Sequence, residues 1–131
     1  MKMEHKKKEI IIVGGGLAGL SCAMRACELG MHVKIISITK VKRSHSVCAQ
    51  GGINAALNSK QEGDSPFIHA YETIKGGDFL AEQPPVLEMC LSAPGLISMM
   101  ERLGCPFNRT PEGNLDVRRF GGTLYHRTVF A

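Results

Sequence analysis

Residues 9–13, Glu-Ile-Ile-Ile-Val, form a short β-branched run closed by glycines, a pattern that predicts a buried strand of a parallel sheet. Leu17, Leu20, Ala23 and Met24 then recur at helical spacing, and Gly30 supplies the C-terminal stop. Val33 to Ile38 is a second run rich in β-branched residues. Strand, glycine turn, helix and strand within about 30 residues predict a βαβ unit with its two strands parallel. Residues 40–65 are more polar; Ile53 to Leu57 reads as the start of a short helix and Asn58 to Asp64 as a loop. Ser65-Pro66 has the form of an N-cap followed by proline at the first helical position, with a helix to about Lys75 ended by Gly76-Gly77. Pro84-Pro85 opens a further helix, which Pro94 is expected to break in two, the second piece running to Leu103 with Gly104 as its stop. Phe107 to Thr110 and Leu115 to Arg119 flank Pro111-Glu112-Gly113-Asn114, a hairpin signal. Gly121 to Ala131 carries no closing element, and two parallel strands need more strands to make a covered sheet, so the chain reads as truncated.

The chain has 131 residues, 44% hydrophobic and 21% charged, which excludes collagen, coiled coil and wholesale disorder. Its formal charge is +4. Setting aside Lys2, Lys6, Lys7, Lys8, Glu4 and Glu9, the rest carries 12 basic and 10 acidic groups, a balance too even for a nucleic-acid binder. Residues 1–9 read as a solvated basic tail. Lysines before an apolar run resemble a secretory signal, but Gly14, Gly15, Gly16 and Gly19 interrupt the helix that a signal needs. The five cysteines form no C-x-x-C pair, which argues against a zinc site and suggests a reducing compartment. No apolar segment approaches the ~20 residues that span a bilayer.

Gly14-x-Gly16-x-x-Gly19 is a dinucleotide fingerprint between a predicted strand and a predicted helix. Gly14 permits the tight turn, Gly16 lets a pyrophosphate approach the backbone, and Gly19 lets helix and strand pack closely. The helix N-terminus offers unpaired N–H groups to phosphate oxygens. An acidic ribose reader is expected at the end of the second strand, but Ile35-Ile36-Ser37-Ile38-Thr39-Lys40 has no carboxylate. That disfavours NAD. Lys40, Lys42 and Arg43 can hold a 2′-phosphate, so the βαβ unit alone leaves NADP and FAD both open.

Arg43-Ser44-His45-Ser46-Val47-Cys48-Ala49-Gln50-Gly51-Gly52 resembles the flavin-attachment segment of the flavoprotein subunit of succinate dehydrogenase and fumarate reductase. The resemblance runs on through Asp64-Ser65-Pro66, Thr73 to Phe79, Phe107-Asn108-Arg109-Thr110 and Arg118-Arg119-Phe120-Gly121-Gly122-Thr123. It implies an α/β, Rossmann-like FAD-binding fold, incomplete here, with residues 10–131 as the N-terminal part of the domain. It implies FAD held by Gly14, Gly15, Gly16, Leu17, Ala18, Gly19, Ser37, Ser44, His45, Ser46, Gln50, Gly51 and Gly52, with a covalent bond from His45 to the flavin 8α-methyl carbon. Histidine suits that bond, because a neutral imidazole is a nucleophile near pH 7. Gly51 and Phe120 are the implied dicarboxylate contacts. Arg118 and Arg119 are positioned to steer a dianion, but adjacent strand residues point to opposite faces, so at most one is expected to serve.

The implied reaction interconverts succinate and fumarate, with hydride passing to the flavin and electrons to an iron–sulfur subunit, a membrane anchor and finally a quinone. The implied location is peripheral, on the cytoplasmic side of the cell membrane. The family's other catalytic residues have no counterpart in these residues, so no catalytic residue or metal ligand is assigned. Cys48 with His45 makes too few ligands for a metal. His32, His69 and His126 are expected to be ordinary surface or core histidines. Two other readings compete: a non-covalent FAD enzyme of the L-aspartate oxidase type, against which His45 argues, and a non-catalytic NADP-binding Rossmann module. A basic-tailed adaptor without cofactor leaves the three glycines unexplained.

Overall fold

The computed structural model describes residues 8–131, so most of the lysine-rich tail, residues 1–7, lies outside the described residues. The chain forms two compact units divided between Ala49 and Gln50.

In the first unit β1 (Glu9–Val13) pairs in parallel with β2 (His32–Ile36), with Glu9 opposite His32 and Val13 opposite Ile36. Between them runs α1 (Leu17–Glu28). The predicted βαβ unit is therefore present, with β2 ending two residues early, before Ser37. Gly30 takes φ +76, the left-handed conformation that ends a helix without a Cβ penalty. The expected full burial of β1 is not found: Ile12 is buried, while Ile11 and Val13 are exposed. α1 packs on the sheet. With a single covering helix, alternate side chains lie on the face it does not cover. A single 3-10 turn (Val41–Arg43) leads into α2 (His45–Cys48), a one-turn helix.

The second unit holds β3 (Ile53–Asn54), α3 (Pro66–Gly76), α4 (Gln83–Arg102), β4 (Val117–Arg118) and β5 (Thr128–Val129). The strands form one antiparallel sheet in the order β3-β5-β4, with Val129 opposite both Ile53 and Val117. Ile53 to Leu57 is thus not a helix start: Ile53 and Asn54 pair with the chain's last strand, and tertiary pairing overrides local propensity. Ser65 caps α3 as expected, its Oγ accepting the Ile68 N–H at 3.2 Å, with Pro66 in the first turn. Pro94 does not break α4, which runs unbroken for 20 residues. Cys90, Ala93 and Ile97 make one buried stripe on α4, and its packing on α3 outweighs the hydrogen bond lost at Pro94. The predicted hairpin is short: Arg109 bridges Leu115, and the Thr110 N–H donates to the Asn114 carbonyl at 2.8 Å. The core of this unit gathers Ala55, Ala93, Ile97, Phe107, Val117 and Val129. No helix among the described residues is long and apolar enough to cross a membrane.

Candidate functional site

In the first unit the turn after β1 is tied down by the Gly14 N–H, which donates to the Ile36 carbonyl at 2.8 Å. Gly14 has φ +115, a conformation that side chains avoid. A Cβ on Gly19 would lie 2.0 Å from the Gly14 oxygen and 3.5 Å from Ile12, so the close approach of helix to strand requires glycine. A Cβ on Gly15 would meet the Ser37 Oγ at 3.2 Å, which puts Ser37 beside the glycine turn. Gly16 is the N-cap of α1, with no capping side chain and no acidic residue in the first turn. The amides that open the helix have no intrahelical acceptor, and those of Ala18 and Gly19 favour an anion.

The segment 44–46 meets the same turn. Ser46 Oγ accepts the Leu17 N–H at 3.1 Å and would lie 3.2 Å from a Cβ on Gly16. Ser44 is buried, and its hydroxyl has no hydrogen-bond partner. His45 begins α2 with its side chain exposed. The expected fingerprint, Ser37, Ser44 and Ser46 are thus brought together in one unit, whereas Lys40, Lys42 and Arg43 are exposed.

In the second unit Gly51 lies under the Phe120 ring, where a Cβ would be 2.9 Å from Cε1. Gly52 has φ +96, and a Cβ there would lie 2.4 Å from the Val129 oxygen. Arg118 and Arg119 do diverge. Arg118 Nη2 donates to the carbonyls of Gln50, at 3.2 Å, and Gly51, at 3.1 Å. Arg119 lies 3.7 Å from Glu62, whose carboxylate also accepts the His126 N–H. Neither arginine is spent as the free dianion-steering group that the sequence suggests.

A second polar cluster went unread in the sequence. Arg127 is 1% exposed. Its Nη2 donates to Asp64 Oδ1 at 2.7 Å and lies 2.8 Å from Glu72 Oε2. A charged residue inside Thr-Val-Phe-Ala-like apolar surroundings is the signal that could have exposed it, since buried arginines are paired. His69 and Arg127 line an open cavity of about 700 Å³ with Asn54, Glu72 and Tyr125, and none of the expected FAD or dicarboxylate contacts lines it.

His69, expected to be ordinary, is a buried histidine whose Nδ1 has no partner. Burial first, and the Arg127 guanidinium second, hold its pKa below the ordinary 6.5, against an opposing pull from Asp64. Its folded-state pKa is depressed, so its contribution to stability is complete above the unfolded value and is lost as pH falls towards the folded one. The melting temperature is therefore expected to drop between about pH 7 and pH 5.5, and His69→Gln to flatten that part of the curve. An unchanged slope in the variant counts against this assignment.

Comparison with known proteins extends the picture. The FAD binding domain family matches residues 9–131. The chain is 62% identical to the succinate dehydrogenase flavoprotein subunit of Bacillus subtilis over 125 residues, covering 95% of this chain and 21% of that protein. It is 42% identical to the fumarate reductase flavoprotein subunit of a Serratia species, covering 98% of this chain and 21% of that protein. Among solved structures, the Mycobacterium smegmatis Sdh1 complex in the apo form superposes with TM-score 0.88 at 30% identity, covering 95% of this chain and 21% of that one. The Escherichia coli quinol fumarate reductase FrdA superposes with TM-score 0.84 at 37% identity, covering 95% and 22%. The chain spans about a fifth of the length of these relatives. The resemblance seen in the sequence is borne out: the chain belongs to the FAD binding domain family, and the relatives it matches are flavoprotein subunits of succinate dehydrogenase and fumarate reductase.

Proposed function

We propose that this chain is part of the flavoprotein subunit of a succinate:quinone oxidoreductase, with FAD attached covalently through His45. The observation that carries the reading is the start of α1 set in a glycine turn, with Gly16 as an N-cap that has no side chain and with Ser37 and Ser46 against it. These residues fit the group. The Gly15 and Gly16 positions leave room where side chains would intrude, and the buried Ser44 hydroxyl lacks a protein partner. In this reading the amides of Ala18 and Gly19 donate to phosphate oxygens, whose negative charge strengthens each hydrogen bond, while the Leu17 N–H is held by Ser46 Oγ. Ser37 takes the place of the acidic ribose reader. Ser44 and Ser46 flank His45 and fix the turn that presents it. The exposed imidazole supplies the nitrogen for the bond to the flavin.

When bound, FAD supplies the acceptor for a hydride taken from a substrate carbon. Gly51 and Phe120 form the part of the dicarboxylate contact that lies in these residues. The partners implied are an iron–sulfur subunit and a membrane anchor, with a quinone as the final acceptor and a peripheral position on the cytoplasmic side of the membrane. Residues 10–131 are read as part of a longer FAD-binding domain, and Glu9, the last residue read as basic tail, opens β1.

His45→Ser in the full-length protein tests the reading. The variant is expected to keep FAD that acid extracts, with an intact mass lower by one FAD than the wild type. Succinate oxidation is expected to fall about a hundredfold or more, with fumarate reduction less affected, because the attachment raises the driving force for oxidation. Acid-stable flavin in His45→Ser overturns the attachment. A wild-type protein whose flavin is wholly extractable favours the non-covalent class instead.

A further inference from the structure

We propose that Arg118 is the positioning residue of the Gln50-Gly51-Gly52 backbone, holding two peptide units so that their amides face the flavin. The proposal rests on the FAD reading above and deepens it. The guanidinium is fixed from several sides. Its Nη2 donates to the carbonyls of Gln50 and Gly51. Its carbon lies 5.4 Å from the centre of the Phe120 ring and 4.4 Å from that of Phe130. An arginine placed over two aromatic rings, with two acceptors on one nitrogen, has little freedom left to follow a substrate carboxylate.

The consequence lies in peptide geometry. All the described peptide bonds are trans. In a trans peptide the carbonyl and the following N–H point in opposite directions. With the Gln50 and Gly51 carbonyls both drawn to Arg118, the N–H groups of Gly51 and Gly52 turn away from it. Neither N–H donates to another backbone carbonyl among the described residues outside the regular elements. Two consecutive donors on one side of the chain make a small concavity for an electron-rich acceptor atom. The glycines make this arrangement possible: Gly52 needs φ +96, and Gly51 must fit beneath the Phe120 ring. The same ring thereby joins Arg118 to the residue that the resemblance assigns to the dicarboxylate. A lysine at position 118 keeps the charge and can donate to a carbonyl, but it lacks the planar guanidinium that sits over the Phe120 and Phe130 rings.

The test uses Arg118→Gln and Arg118→Lys in the full-length flavoprotein assembled with its natural partners. If Arg118 positions the flavin loop, Arg118→Gln lowers kcat about tenfold or more, with the KM for succinate within about twofold of wild type. It also shifts the visible absorption bands of the bound flavin and lowers the fraction of acid-stable flavin. Arg118→Lys restores part of each. If Arg118 instead binds substrate, KM rises about tenfold while flavin spectrum and content stay at wild-type values, and the proposal is overturned. Wild-type values for every readout in Arg118→Gln overturn it too, while leaving the FAD reading intact. Absence of flavin from the wild-type protein overturns both. If Arg118→Gln fails to fold, the decision passes to Arg118→Lys: a changed flavin spectrum at unchanged KM supports the proposal, and a raised KM with an unchanged spectrum rejects it.

Discussion

Arg127→Ala is expected to destabilise the folded chain by about 3–5 kcal/mol, because it strips the counter-charge from a buried carboxylate pair. The Arg127 side chain is 0% exposed and the Asp64 side chain 2%. Glu72, on the other side of the same nitrogen, is 18% exposed. The two carboxylates come from separate places, Asp64 just before the N-cap of α3 and Glu72 within that helix, and the arginine is the residue before β5. Its backbone carbonyl also accepts the Ala55 N–H at 2.9 Å, next to β3. Arg127 therefore ties helix to sheet, and without it Asp64 and Glu72 face each other with no positive partner. A triple variant, Arg127→Met with Asp64→Asn and Glu72→Gln, removes all three charges together. It is expected to recover much of the loss, because replacing a whole buried ion cluster costs far less than breaking it. Denaturant midpoints of the single and triple variants measure both quantities. A loss below about 1 kcal/mol in Arg127→Ala would place the cluster with solvated surface pairs instead.

Gly19→Ala is expected to abolish most flavin binding while also lowering stability. The added carbon would lie 2.0 Å from the Gly14 oxygen and 3.1 Å from the Gly14 carbon, both backbone atoms that cannot rotate away. To relieve that contact, α1 must lift from the turn, moving the helix amides off the anion position. Overpacking of this kind costs about 1–3 kcal/mol, and the upper end is expected against rigid backbone. Flavin content per chain is expected to fall to about a tenth or less, since small misplacements of a binding constellation are costly. Gly95→Ala is the control. Gly95 lies inside α4, and a Cβ there meets nothing within 4 Å. That substitution should raise stability by about 0.5–1 kcal/mol through helix propensity and leave flavin content alone. Equal flavin content in Gly19→Ala and wild type would show that the turn is not where the dinucleotide binds.

The parts of the fold legible in the chain are those with local causes. The Ile10 to Val13 run, the glycine turn and the stop at Gly30 depend on neighbours a few residues away, and so does the Ser65-Pro66 start of α3. Each was readable from backbone preference and periodicity. The readings that failed have distant causes. Ile53 and Asn54 are a strand only because Val129 and Thr128 pair with them. Pro94 stays inside a helix only because Cys90, Ala93 and Ile97 are buried. Full burial of β1 was read from composition, yet burial depends on what covers each face.

The candidate site divides along the same line. Residue types and spacing identified the fingerprint, because phosphate binding needs glycines at short, fixed intervals, whereas the histidine segment and the Phe-Gly-Gly segment were picked out by their resemblance to a family. Tertiary structure alone decided what the two long-range arginines do. Arg118 meets Gly51 across 67 residues and Arg127 meets Asp64 across 63. An arginine can donate to a substrate, a carboxylate or a peptide carbonyl, and only the folded chain chooses which acceptor comes within 3 Å or so of it.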